Sequence, residues 1–306
     1  MNIVSPAARG STAANLTVVA LRGVEPARPP DARFCSAQVS AGPAAPRSRP
    51  RPRPIQLIQL IQMWRTMRGY LSLLSQPRAA LGWWRTLREP PLAGLTADYP
   101  LLLQKPLRPY ISRRWSVSRR CKVILDTQRV VDAHPELRRA WLDPGGVRLI
   151  HGALDGGVPY EVRLCRDRQF PMEGELLIAL HDSWRAQPLY VLALSFERDA
   201  AGALCCYIGG VRAGAERSDR PGAAAKPAAR LYQGMPPQAL LLHMARQVAA
   251  HVGATALLGA SNAIQVRVRG PLFRRARRRR LRCDLDQLWQ ELGGWLDCDG
   301  WFRLPL

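Results

Sequence analysis

LYVLALSFERDAAGALCCYIGGV (residues 189–211) holds two apolar runs of strand length, 189–197 and 204–211, joined by the polar turn RDAAG. Runs of this length, rich in β-branched and aromatic residues and separated by a Gly-containing turn, read as an antiparallel pair. Upstream, 147–151, 160–165 and 175–181 carry the same two-residue period between Gly, Asp and Pro turns such as LDGGVPY (154–160). Five strands in succession with short connections predict an antiparallel meander.

Beyond the meander the period changes. Pro236 and Pro237 stand where a helix start tolerates missing amides, Leu240, Leu241, Met244, Val248 and Val252 follow at helical spacing, and Gly253 stops the run. Residues 255–259 then form a short apolar strand. A final helix is expected over 284–292, followed by a C-terminal WFRLPL tail.

Before the meander the pattern is helical. Ile55, Leu57, Ile58, Ile61, Trp64, Met67 and Leu71 share one face of a helix over about 55–74. A short helix over 77–88 carries Trp83 and Trp84 flanked by Arg78, Arg85 and Arg88, a composition that suits either core packing or a membrane interface. A longer helix, capped by Ser116 or Ser118, runs to Ala133, and a shorter one spans 135–142 before DPGG (143–146) breaks the pattern. The fold class is therefore α+β, with N-terminal helices followed by a mostly antiparallel sheet and a helix packed on it. Residues 1–54, rich in Pro, Arg and Ala, have no apolar face to bury and are expected to be a disordered arm. Residues 55–146 form the helical region and 147–306 the α+β sheet domain, with 55–306 as one unit.

The 306 residues carry a formal charge of +22. Such a field attracts phosphate, lipid headgroups, lipopolysaccharide or nucleic acid. Two stretches concentrate it. KPLRPYISRRWSVSRRCKVI (105–124) has seven basic residues and no acid, making Arg113, Arg114, Arg119 and Arg120 candidate anion contacts with Tyr110 and Trp115 as anchors. Residues 267–282 hold nine Arg and no acid, with Arg274, Arg275, Arg277 and Arg278 as a second candidate set. Phe273 is the one aromatic there, so the stacking platform of a single-stranded nucleic-acid binder is missing.

Other classes are excluded more firmly. No apolar run reaches the roughly 18 residues of a membrane span. The seven Cys are irregularly spaced, with no zinc-like Cys/His set, so no metal site is expected and the thiols read as reduced. A cytoplasmic protein is predicted, with peripheral contact at the inner membrane left open. Glu173, Glu175, His181 and Asp182 cluster about one strand and could serve as acid or base, or simply be solvated strand-end charges. Ser261 and Asn262 follow the 255–259 strand, where side chains either line a cleft or make a turn.

Five blocks, RPYISRRWSVSRR (108–120), EGEL (173–176), LYVLALSF (189–196), GASNA (259–263) and DLDQLWQELGGWLDCDGWFRLP (284–305), resemble in order the bacterial VirK/YbjX family, a domain of unknown function. The resemblance covers roughly 60–306. It implies an accessory role in envelope integrity, virulence and resistance to cationic antimicrobial peptides, and brings no catalytic residue with it. The chain departs from the family after Asn262, where Ala263, Ile264 and Gln265 replace a His-Val-Tyr-like segment. The order of meander, helix and strand is also similar to the GNAT acyltransferase layout, in which amides ahead of the central helix hold the pyrophosphate of acyl-CoA. That position here is YQGMPP (232–237), with Gly234 and Met235 as the candidate contacts. The Gln/Arg-x-x-Gly-x-Gly/Ala string of that family is missing. No cofactor other than acyl-CoA is suggested. Three functions follow: an envelope accessory factor, a GNAT-like acyltransferase, and a nonspecific nucleic-acid-binding regulator.

Overall fold

The computed structural model describes residues 77–153, 158–167, 172–182, 187–213, 235–266 and 284–306. The 1–54 arm, the 55–74 helix, Gly234 and the Arg274, Arg275, Arg277 and Arg278 set lie outside them. Helices α1 (Pro77–Thr86), α2 (Leu95–Asp98), α3 (Val117–Ala133) and α4 (Pro135–Leu142) precede strands β1 (Val147–Ala153), β2 (Pro159–Arg166), β3 (Leu176–Asp182), β4 (Tyr190–Arg198) and β5 (Leu204–Ala213). After these come α5 (Pro237–His251), β6 (Ala256–Ala260), α6 (Leu285–Glu291), β7 (Trp295–Leu296) and β8 (Trp301–Leu304). The protein is α+β, with one eight-stranded sheet in the order β1-β2-β3-β4-β5-β6-β8-β7. Every neighbouring pair is antiparallel except β5 and β6, which are parallel and joined through α5.

The tail carries a strand to which the sequence reading gave no conformation. Trp301–Leu304 is a strand paired antiparallel with β6, and Phe302 and Leu304 are buried. Four residues between Gly300 and Pro305 are too few to show a period, so only the pairing makes the strand.

Helix α3 does more than cover the sheet. Pairing of β3 with β4 stops at Leu176 and Leu194, so the last residues of β4 need other partners for their backbone groups. The Thr127 hydroxyl accepts from the Phe196 amide at 2.8 Å and shares its proton between the carbonyls of Val123 (2.7 Å) and Phe196 (3.1 Å). Asp126 accepts from the Arg198 amide at 3.1 Å, and Lys122 reaches both the Arg198 carbonyl and Asp126. The helix thus stands in for a strand. Ser116 starts it as N-cap, accepting from the Arg119 amide at 3.2 Å, an interaction typically worth about 1 kcal/mol.

Two apolar clusters hold the layers. The larger joins Leu192, Leu194, Phe196, Cys206 and Ile208 of the sheet with Leu241, Met244 and Val248 of α5 and with Trp141 of α4. The other joins Trp83, Tyr110, Trp115 and Ile124 to Tyr207, Leu258 and Trp301. Within it Trp115 stacks on Trp301 at 5.4 Å between centroids and meets Tyr207 edge-on at 5.1 Å.

Candidate functional site

The sheet is notched where its one parallel pair ends. β5 pairs with β6 from Cys205 to Ile208, and then continues to Ala213 while β6 stops at Ala260. At that point β5 carries one extra residue. Ala193 faces Gly210 and Leu194 faces Ile208, which leaves Gly209 as a bulge that bends the strand and increases its local twist. Glycine is required there because a Cβ on Gly209 would collide with the Glu173 carbonyl, and one on Gly210 would lie 2.8 Å from Gln265 Nε2. Helix α5 follows β5 in the chain, leads into the parallel strand β6, and packs on β3 and β4. Pro236 and Pro237 lack amides and Leu240 donates to the Pro236 carbonyl, so Gln238 and Ala239 carry the first helix amides with no intrahelical acceptor.

Gln265 fills the apex of the notch, donating from Nε2 to the Gly209 carbonyl at 3.1 Å. Beside it Glu173 forms an ion pair with Arg212 of β5, and both are largely out of solvent. Met235, ahead of α5, packs against the larger apolar cluster. No sequence signal marked Gln265, since its role depends on a turn that folds back across β5.

Glu173 and Glu175 are not solvated strand-end charges. They are 1 % and 2 % exposed. Glu175 accepts from Lys105 Nζ at 2.8 Å and from the Tyr110 hydroxyl at 2.8 Å. Lys105, 3 % exposed, also donates to the Gly174 carbonyl (3.0 Å) and the Tyr99 hydroxyl (3.2 Å). Ser195 completes the group, with Oγ 2.8 Å from the Tyr110 hydroxyl and accepting from the Glu175 amide at 3.0 Å. Burial is the largest single influence on Lys105 and lowers its pKa, but the charges of Glu175, Tyr99 and Asp167 and the Glu175 hydrogen bond together outweigh it and hold the ammonium above its ordinary value. Burial pushes the Tyr110 phenol well up, so it stays protonated. A carboxylate so fully engaged is a strut rather than a base. Lys105 and Ser195 escaped the sequence reading because nothing local pairs residues 70 to 90 positions apart.

Tyr110 reaches this network through an unusual backbone. Ile111 is fully buried with φ of 53°, a region in which a β-branched residue is an outlier. The Ser112 amide donates back to the Tyr110 carbonyl at 2.6 Å, forming a tight three-residue turn.

The basic residues of the 105–124 stretch are mostly committed within the fold. Arg119 donates to Glu197 Oε2 through Nε (3.2 Å) and Nη2 (3.0 Å) and to the Tyr207 hydroxyl (2.9 Å). Arg120 donates to the carbonyls of Arg108 (3.0 Å) and Pro106 (3.3 Å), and desolvation lowers its pKa. Arg113 and Arg114 are exposed and donate to the carbonyls of Ala263 (2.8 Å) and Asp299 (3.2 Å). Asn262 makes a turn, without left-handed backbone. Its side chain donates to Asp284 (2.6 Å) and accepts from the Leu285 amide (3.3 Å), fastening the start of α6. Ser261 is buried, with no partner for its hydroxyl among the described residues. His181, on β3 opposite Glu161, has its pKa lowered by desolvation, and Asp182 beside it is buried.

Among the described residues no helix is long and apolar enough to cross a membrane. No curated protein and no solved structure matches the chain. A family model does match, and it spans residues 59–306, which takes in every element of the sheet, the notch and the buried network. The chain therefore belongs to the family described as "Protein of unknown function (DUF535)".

Proposed function

We propose that the protein is a VirK/YbjX-type factor supporting envelope integrity and resistance to cationic antimicrobial peptides, and that it does so as a GNAT-like protein binding acyl-CoA. One observation carries the biochemical half: the parallel pairing of β5 with β6 ends beside the Gly209 bulge, and β5 runs on past it before the chain enters α5. A strand edge left without its partner offers amides and carbonyls to the two amides of a pantetheine arm, as an added strand would. The Gln238 and Ala239 amides suit a phosphate. In the transfer itself the thioester C–S bond breaks, the acyl carbon bonds to an acceptor amine or hydroxyl, and the acceptor's proton passes to the departing thiolate. Gln265 would have to swing away from Gly209 to admit the thioester. The biological half is supported by the resemblance of the five sequence blocks.

Titration of the full chain with CoA and acetyl-CoA, followed by thermal unfolding, tests the reading. A Kd of about 10 µM would stabilise the fold by about 2.7 kcal/mol at about 1 mM ligand. No shift with either ligand at that concentration overturns the acyl-CoA reading.

A further inference from the structure

Helix α1 divides its two adjacent tryptophans between inside and outside. Neighbouring residues on a helix point about 100° apart. Trp83 is buried and pinned by its Nε1 donating to the Leu102 carbonyl at 3.0 Å. Trp84 is therefore turned outward and is 46 % exposed, beside Leu81 at 50 %. Arg78, Leu81, Trp84 and Arg85 fall within an arc of about 120° on the outward face, and all four are exposed. Arg88, in the turn that follows, lays its guanidinium 3.7 Å from the centre of the Trp84 ring. The helix itself has no acidic residue.

We infer that this outward face of α1 docks on an anionic phospholipid surface. A single short face combining Leu, Trp and three Arg matches the headgroup region, where Trp and Leu enter the acyl boundary and Arg pairs with phosphate. The +22 charge of the chain favours the same partner over an acidic-poor or neutral one. The inference is independent of the acyl-CoA reading. It concerns a different surface, and failure of either leaves the other standing.

The Arg-rich segments elsewhere would draw any anionic vesicle to the chain, so the test must report on α1 itself. Full-length protein is mixed with phosphatidylcholine vesicles, with and without phosphatidylglycerol, carrying brominated acyl chains that quench nearby tryptophan. Wild type is expected to be quenched only when phosphatidylglycerol is present. Trp84→Phe should remove that quenching, while Trp295→Phe, at another exposed Trp, should leave it. The double variant Leu81→Gln/Trp84→Gln should keep its far-UV dichroism and lose about tenfold in vesicle affinity at moderate salt. Quenching that survives Trp84→Phe, undiminished affinity of the double variant, or equal binding to neutral vesicles overturns the proposal. Capture of an acidic protein through α1 without quenching by vesicles does so as well.

Discussion

Replacing Glu175 by Gln should cost the fold about 3–5 kcal/mol, because it leaves a buried ammonium without its counter-charge. Glu175 and Lys105 meet at 2.8 Å with side chains 2 % and 1 % exposed, so solvent cannot take over the pairing. The acceptors that remain to Lys105, the glutamine's own amide oxygen, the Gly174 carbonyl and the Tyr99 hydroxyl, are all neutral. Lys105→Met should cost a similar amount, since Glu175 then keeps only the Tyr110 hydroxyl. The double variant Lys105→Met/Glu175→Leu removes both charges, leaves Tyr110 its Ser195 partner, and should recover most of the loss. For a domain whose total stability is about 5–15 kcal/mol, each single change is a large fraction. Urea denaturation followed by fluorescence measures this as a drop in midpoint at unchanged slope. The pH dependence has a fixed sign. The folded pKa of Lys105 lies above its unfolded value near 10.5, so its contribution is complete below that pH and is lost as pH rises through the folded value. Single variants costing under about 1 kcal/mol, the worth of a surface pair, would refute the burial argument.

Thr127→Val removes the one hydroxyl serving both the amide and the carbonyl of Phe196. It should cost about 1–3 kcal/mol by denaturant unfolding, whereas Thr127→Ser should cost less. His181 titrates below its ordinary value near 6.5 because of desolvation, so the unfolded chain takes up the proton first. Stability should therefore fall as pH drops from about 6.5 toward the folded value. His181→Gln should reduce that slope in a pH series of thermal melts, leaving the part due to His243, whose pKa is lowered by the same cause.

The meander, the α5 helix and β6 were readable because each repeats a period that only one kind of burial explains. Leu240, Leu241, Met244 and Val248 are all buried on α5, and the predicted 135–142 helix is α4 itself. What went unread had no period to show it. Trp301–Leu304 is too short, and the left-handed Ile111 contradicts its own residue type and persists only because the surrounding core over-determines it. Charge misled in a different way. Glu173, Glu175 and Lys105 look like solvated groups in any local window, since each finds its partner far along the chain.

That last point changes what the basic signature is for. The segment from Arg108 to Arg120 lies between the two halves of the sheet. On one side the Ile111 amide donates to the Met172 carbonyl at 2.8 Å and Tyr110 enters the Glu175 network. On the other the Arg113 amide donates to the Ile264 carbonyl at 2.8 Å, next to the Gln265 that fills the notch. Arg119 and Arg120 then lock the following helix to Glu197 and to the carbonyls of Pro106 and Arg108. A strand that runs on past the end of its partner loses backbone pairing, and something must carry that load. Here the signature segment does, tying the β3–β4 side to the turn after β6. Substitutions at Tyr110, Arg119 or Arg120 should thus act first on stability and on the width of the notch, and only through these on any ligand. Arginines exposed to an outside anion include Arg113 and Arg114 of the segment itself, Arg138 and Arg148, and those on the outward face of α1.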